Sequence, residues 1–377
     1  MEGSLMKTGR VVCLILFLGA VLFGGCQEGG GGNDSAVSLL LGLAGGINPG
    51  GGPVPGGTTP GSEDTVHWNK YFDGNAGNDA ALSAACDTDG NLYVVGFGTN
   101  LISNMSSEDW WIKKFDANGN EDTIHWNKKI HGGGTSFPKD RAQAVAVDSD
   151  GSVYVAGYGS SLVGTNTQED WWIKKFDSDG NEDTTNWNKK IGTSLSDRAN
   201  AIALDGDGNV YVAGTADNFM VWIKKFDPDG NEDTAHWNKA ISDFLVSSMA
   251  MDQDGNVVVA GCGPGAASYD WLIKKFSADG VEDTANWNKL VDTSIMDMSS
   301  YVAVDSSGNV FVAGSVYNLI SAASGSESIS DWLIKKYTSA GVEDTTNWNK
   351  GFDGVGNDDF PYSAAVDAKG NVFVVGA

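Results

Sequence analysis

Short apolar runs alternate with clusters of Gly, Asp and Asn along most of the chain. A small-residue run such as "AQAVAVD" is followed by a Gly turn, "SDGS", and then by "VYVAG". A variable loop, "DWWIKKFD", an acidic turn and "NWNKK" complete the unit, and the order then repeats. The Trp of "WNK" recurs as Trp68, Trp126, Trp187, Trp237, Trp287 and Trp348, so one unit spans about 50 residues with loop insertions. Val, Ile, Tyr, Phe and Trp are enriched between turn residues and no 3.6-residue period is present, which predicts strands throughout. We name the four strands of a unit A to D. Gly151, Gly208, Gly255, Gly308 and Gly370 fall in the A–B turns, where a hairpin calls for positive φ.

Four short antiparallel strands per unit predict one blade of a β-propeller. Strands B and C lack a polar face, as expected of strands covered by a neighbouring blade on both sides. "AVDSDGSVYVAG" and "ALDGDGNVYVAG" resemble the core of the SBBP β-propeller repeat family, and more distantly the NHL type. The resemblance runs over residues 63–377 and implies a fold, not an activity. The "WIKKFD" to "WNK" half departs from the commonest SBBP pattern. The predicted class is therefore all-β, a propeller of about six four-stranded blades. The chain opens on a D strand, "EDTVHWNKYF", and ends after strands A and B in "SAAVDAKGNVFVVGA". The last blade is thus expected to be incomplete, without strand C, and closed by the N-terminal strand, in a chain truncated at its C-terminus.

The first residues read differently. Lys7 and Arg10 precede an apolar stretch from Val11 to Phe23, and small residues lead to Cys26. This is the layout of a signal peptide, too short for a spanning helix. "LFGGC" resembles the bacterial lipoprotein signal, which implies cleavage after residue 25 and lipidation at Cys26. An ordinary secretory signal cleaved nearby is the alternative. By the same resemblance to lipoprotein sorting, Gln27 after the cysteine points to the outer membrane of a bacterial envelope. Residues 26–62 then form a Gly- and Pro-rich linker, expected to be disordered. As a coil its reach is roughly 30–36 Å. Only "SAVSLLLGLAGGI" in it could form a short helix or lie on a surface.

The formal charge is −25, which excludes nucleic acid as a partner, since phosphates need Lys and Arg. Acidic residues crowd the A–B turns (Asp87, Asp148, Asp205, Asp252, Asp305, Asp367) and the C–D turns (Asp177, Asp179, Glu182, Asp183). Antiparallel order places both turn sets on one face. Weak Ca²⁺ binding is one reading of these acids, but Asp and Asn build Asx turns with no metal, and that reading is preferred. Lys pairs such as Lys174 and Lys175 are expected to lie along apolar neighbours and meet carboxylates at the rim. His67, His125 and His236 share a repeat position with Asn186, Asn286 and Asn347, which suggests hydrogen bonding. His131 stands alone in a Gly loop, and no metal cluster is expected. Cys86 and Cys262 would lie on opposing blades, too far apart to pair, and read as small buried hydrophobes.

No catalytic residue, cofactor site or nucleotide loop is expected, because the axial A strands are small and apolar. The copies differ in their B–C and D–A loops, which share the other face and carry Arg141, Phe360 and Tyr362. Loops on a rigid scaffold are where binding resides. The expectation is a lipid-anchored binding or scaffold module with a protein or carbohydrate ligand. A Ca²⁺-dependent propeller hydrolase or lyase and a purely structural surface protein are the alternatives.

Overall fold

Residues 38–40, 69–71, 78–102, 107–133, 138–164, 168–217, 220–265, 269–291, 297–317, 330–352 and 359–376 are described in a computed structural model. The signal peptide, Cys26 and most of the linker lie outside them. β-branched and aromatic residues between turn glycines form strands in every unit. Two short strands come first, β1 (Ser38–Leu40) and β2 (Asn69–Tyr71). Blade 1 is β3 (Asp79–Cys86), β4 (Leu92–Thr99), β5 (Glu108–Phe115) and β6 (Lys128–Ile130). Blade 2 is β7 (Arg141–Val147), β8 (Val153–Ser160), β9 (Glu169–Phe176) and β10 (Lys189–Ile191). Blade 3 is β11 (Arg198–Leu204), β12 (Val210–Ala216), β13 (Met220–Phe226) and β14 (Lys239–Ile241). Blade 4 is β15 (Leu245–Met251), β16 (Val257–Pro264), β17 (Tyr269–Phe276) and β18 (Lys289–Val291). Blade 5 is β19 (Met298–Val304), β20 (Val310–Tyr317), β21 (Ser330–Tyr337) and β22 (Lys350–Phe352). A two-stranded hairpin, β23 (Pro361–Val366) and β24 (Val372–Gly376), follows.

Each blade is a four-stranded antiparallel sheet in A–B–C–D order. Its strand A carries a bulge opposite the Gly of the "VAG" stretch, as at Ala199/Ala201 facing Gly214. A Cβ on Gly214 would stand 2.1 Å from the carbonyl oxygen of Arg198. The glycine is there because strand A passes too close for any side chain.

Blades are joined by the "WNK" indoles. Trp126, Trp187, Trp237 and Trp287 are all 0–1% exposed. Each packs on an aromatic of its own strand B, or of the next blade's strand C, or both. Trp187, for example, meets Tyr154 edge-on at 5.0 Å and Phe226 of blade 3 at 5.9 Å. Each Nε1–H then donates to a C–D turn carbonyl of the next blade: Trp126 to Ser178 (3.1 Å), Trp187 to Pro228 (2.9 Å), Trp237 to Ala278 (2.8 Å) and Trp287 to Ser339 (3.1 Å). Trp348, on the last complete blade, is only half-buried.

The sixth unit agrees with expectation in one respect and differs in another. β23 and β24 form a sheet of two strands, as the incomplete last blade requires. The N-terminal β2, however, pairs antiparallel with β1, Leu39 opposite Lys70, in the manner of a strand C against a strand D. The linker expected to be disordered therefore supplies a strand at Ser38–Leu40. The reason is a D strand with one open edge, whose N–H and C=O groups need a partner. The "SLL" segment belongs to the one apolar run of the linker. Cys262 is free and buried, as expected, whereas Cys86 is half-buried and disulfide-bonded rather than a free buried hydrophobe.

Replacing Trp187 by Ala should cost about 3–5 kcal/mol in urea unfolding, the scale of a large buried aromatic. Trp348→Ala should cost at most about 2 kcal/mol, because that indole is already half in solvent. A loss below about 1 kcal/mol at Trp187 would show that the indole does not hold neighbouring blades together.

Candidate functional site

The two ends of the blades use carboxylates in opposite ways. On the turn face, Asp205 accepts at Oδ1 from the N–H groups of Asp207 (3.1 Å) and Asn209 (2.8 Å). Its Oδ2 accepts from Asn209 Nδ2 (2.8 Å) and the Tyr211 hydroxyl (3.2 Å). The bond from residue i+4 recurs at Asp87, Asp148, Asp252, Asp305 and Asp367. In the C–D turns Asp183 accepts from the N–H groups of Thr185 (3.1 Å) and Asn186 (2.9 Å). Its carboxyl is held below the usual carboxylate range, chiefly by the Asn186 N–H. His125 and His236 make the same contact to Asp122 and Asp233, so histidine and asparagine are equivalent here. His67 lies outside the described residues. These acids build Asx turns.

The Lys pairs divide their work. Lys174 and its copies each pair with a turn Glu and reach the "WNK" Asn, as Lys224 does with Glu232 (2.6 Å) and Asn238 (2.9 Å). The second Lys lies over strand B aromatics, Lys175 at 4.9 Å from the Tyr154 ring.

The loop face holds a set of carboxylates that the sequence reading passed over. Asp109, Asp170, Asp270 and Asp331 open strand C, and Asp140, Asp197 and Asp297 immediately precede strand A; all are 0–1% exposed. A charge this deep persists because it ties down loop backbone. Asp170 Oδ2 accepts from the N–H groups of Leu162 (2.9 Å) and Val163 (2.8 Å). Asp140 accepts from Gly132 (2.6 Å) and Ser160 (2.8 Å). The legible signal was the Asp repeated before the Trp of "DWWIKK".

His131 is not solitary. Its Nδ1 lies 2.9 Å from Asp109 Oδ1 and 3.2 Å from Asp140 Oδ2, at the junction of blades 1 and 2. Burial pushes both carboxyls up; loop N–H groups and His131 counter it. Sequence distance hid the group: three segments of two blades supply it. At the next junction Gly192 occupies the place of His131. There Asp170 Oδ1 is buried, and no donor reaches it among the described residues.

Two arginines border this face. Arg141 Nε and Nη2 donate to Glu108 Oε2 and Oε1 at 2.6 and 2.7 Å, and the guanidinium stacks on Phe97 at 4.0 Å. Arg198 repeats the arrangement more openly, with Glu169 at 3.2 Å and Tyr158 at 5.1 Å. Burial pushes the Tyr158 hydroxyl up to about 12, against the pull of both arginines. A cavity of about 190 Å³ among the A strands is lined by Gln143, Asn200, Ser247, Tyr301 and Tyr362 as well as the expected small residues. Tyr362, expected in a loop, stands on strand A. Its neighbour Phe360 precedes that strand.

Asp170 generates a signed prediction. Its pKa is raised above the ordinary 3.8, first by burial and further by Asp197 and Glu169. The native carboxyl binds its proton more tightly than the unfolded one, so the penalty is absent below pH 3.8 and complete above the raised native value. Asp170→Asn should therefore stabilise the protein at pH 7, on the order of 1 kcal/mol. The gain should fall away in unfolding measured as the pH drops through and below the ordinary 3.8. A pH-independent effect would contradict the buried-charge account.

Residues 186–219 match the family model described as beta-propeller repeat, SBBP. The match, narrower than the resemblance expected over 63–377, stops before strand C of blade 3, where the "WIKK" half begins. No curated protein matches the sequence. Among solved structures, a Bacteroides caccae protein of unknown function is similar at 12% identity and a TM-score of 0.44, covering 85% of this chain and 92% of that one. An ulvan lyase, described as a new polysaccharide lyase family, is similar at 12% identity and a TM-score of 0.43, covering 74% of each chain. The α-L-arabinofuranosidase of Fusarium graminearum is similar at 14% identity and a TM-score of 0.44, covering 79% of this chain and 88% of that one. The chain is an all-β propeller carrying a repeat of the SBBP type.

Proposed function

We propose that this chain is a lipid-anchored, extracytoplasmic binding module whose loop face takes an uncharged carbohydrate. One observation carries the reading: the A–B turns repeat the same Asp bond in every unit, whereas the B–C and D–A loops differ from blade to blade. Arg198 and Glu169 there offer donors and acceptors in one partly exposed pair, suited to sugar hydroxyls. Leu195, three residues before Arg198, exposes apolar surface, 38% accessible. A chain of net charge −25 disfavours anionic ligands. The hydrolase or lyase alternative would draw on the turn-face acids, whose oxygens serve the turns. Anchoring at Cys26 rests on Lys7, Arg10 and the apolar run before the cysteine.

Metabolic labelling with a fatty acid should mark the wild type and leave Cys26→Ser unmarked. Equal labelling of both would end the anchor proposal. Full-length protein in detergent, applied to an array of neutral polysaccharides, should retain at least one of them. Arg198→Ala should weaken that binding about tenfold, roughly 1.4 kcal/mol, while Ile124→Ser on the turn face should not. Binding to none, or equal loss in both variants, would refute the carbohydrate reading.

A further inference from the structure

Asp109, His131 and Asp140 are, among the described residues, the one group of His, Cys, Asp or Glu able to surround a metal ion. They come from separate segments: the start of β5, the residue after β6 and the residue before β7. One ligand atom from each lies within 4.8 Å of the other two. An ion bound at about 2.0–2.2 Å by N and O ligands sets neighbouring ligand atoms roughly 3.0–3.5 Å apart. The separations from His131 Nδ1, 2.9 and 3.2 Å, are already close to those edges.

The surroundings fit such a site. Asp109 is oriented by the Ile102 N–H (3.2 Å), and Asp140 by those of Gly132 (2.6 Å) and Ser160 (2.8 Å). Both carboxylates are 0% exposed, while the His131 side chain is 29% exposed and leaves a side open for water. Imidazolium would offset one of the two negative charges, and a divalent cation offsets both. An imidazole with two carboxylates suits a transition ion such as Zn²⁺, rather than Ca²⁺ with its six to eight oxygens.

We propose that Asp109, His131 and Asp140 bind one divalent transition-metal ion, of the zinc kind, across the junction of blades 1 and 2. The ion would join strand C of one blade to strand A of the next, at the one junction described with a histidine in this position. The proposal stands independently of the carbohydrate reading.

Full-length protein, stripped with chelator and held in detergent, is titrated with Zn²⁺ by calorimetry at pH 7.5. One ion per chain should bind with a dissociation constant of about 10 μM or tighter, near −7 kcal/mol. His131→Asn keeps a hydrogen-bond donor for both carboxylates and should fold, yet bind at least about tenfold more weakly. Asp140→Asn should behave likewise, while Asp170→Asn at the neighbouring junction should leave affinity unchanged. Zn²⁺ should also raise the melting temperature of the wild type and not that of His131→Asn. Calcium should bind at least about tenfold more weakly than zinc. Absence of Zn²⁺ binding below millimolar concentration, or binding that His131→Asn leaves intact, would overturn the site and leave an imidazolium bridge between two carboxylates.

Discussion

The closed contact between blades rests on an indole that is both apolar filler and hydrogen-bond donor. A four-stranded blade is apolar on both faces: β8 is buried along its whole length. It cannot stand in water alone, so every blade must be covered twice. The "WNK" Trp serves the blade it belongs to by packing on strand B aromatics, and serves the next by closing one turn carbonyl. Because its donor must find that one acceptor, the indole sets the distance and rotation between neighbours as well as burying area. On the opposite face, backbone bonds such as Asp197 N–H to Glu169 O (2.7 Å) join the same pair of blades. Two fastenings at opposite ends make the junction rigid.

That rigidity frees the loop face. On the turn face acids and their partners recur unit after unit because they shape hairpins, and the bonds of an A–B turn Asp such as Asp205 to its own turn are local in sequence, within six residues. On the loop face acids are buried, and several of their partners lie on another blade. Arg141 meets Glu108 of the preceding blade, and His131 meets Asp140 of the following one. The same residue type is therefore a turn element at one end and a desolvated charge at the other.

Local pattern made much of this legible. Alternation of apolar runs with glycine turns specified strands, and the recurring "WNK" specified the unit; both reflect interactions that each unit makes with itself or with an identical neighbour. The exchange of His125 and His236 with Asn186 correctly signalled a hydrogen bond, since its partner is three residues away. The lysine pairs were legible for the same reason. By contrast, His131 read as isolated because its partners are Asp109 and Asp140, and nothing in their spacing declares that β5, the residue after β6 and the residue before β7 end side by side. Arg198 and the polar lining of the cavity among the A strands escaped notice likewise.

What the sequence determined by itself is what repetition enforces: an all-β chain, a blade of four strands, acidic hairpins and an indole at each junction. Any unit folded by these local rules buries the same residues, whatever its neighbours' loops contain. What only the tertiary structure decided is where unlike copies meet. Packing of unlike copies brings single-copy residues of different blades into one buried, low-dielectric junction. Charges become costly there through desolvation, and desolvation depends on the packed neighbours rather than on the order of residues along the chain.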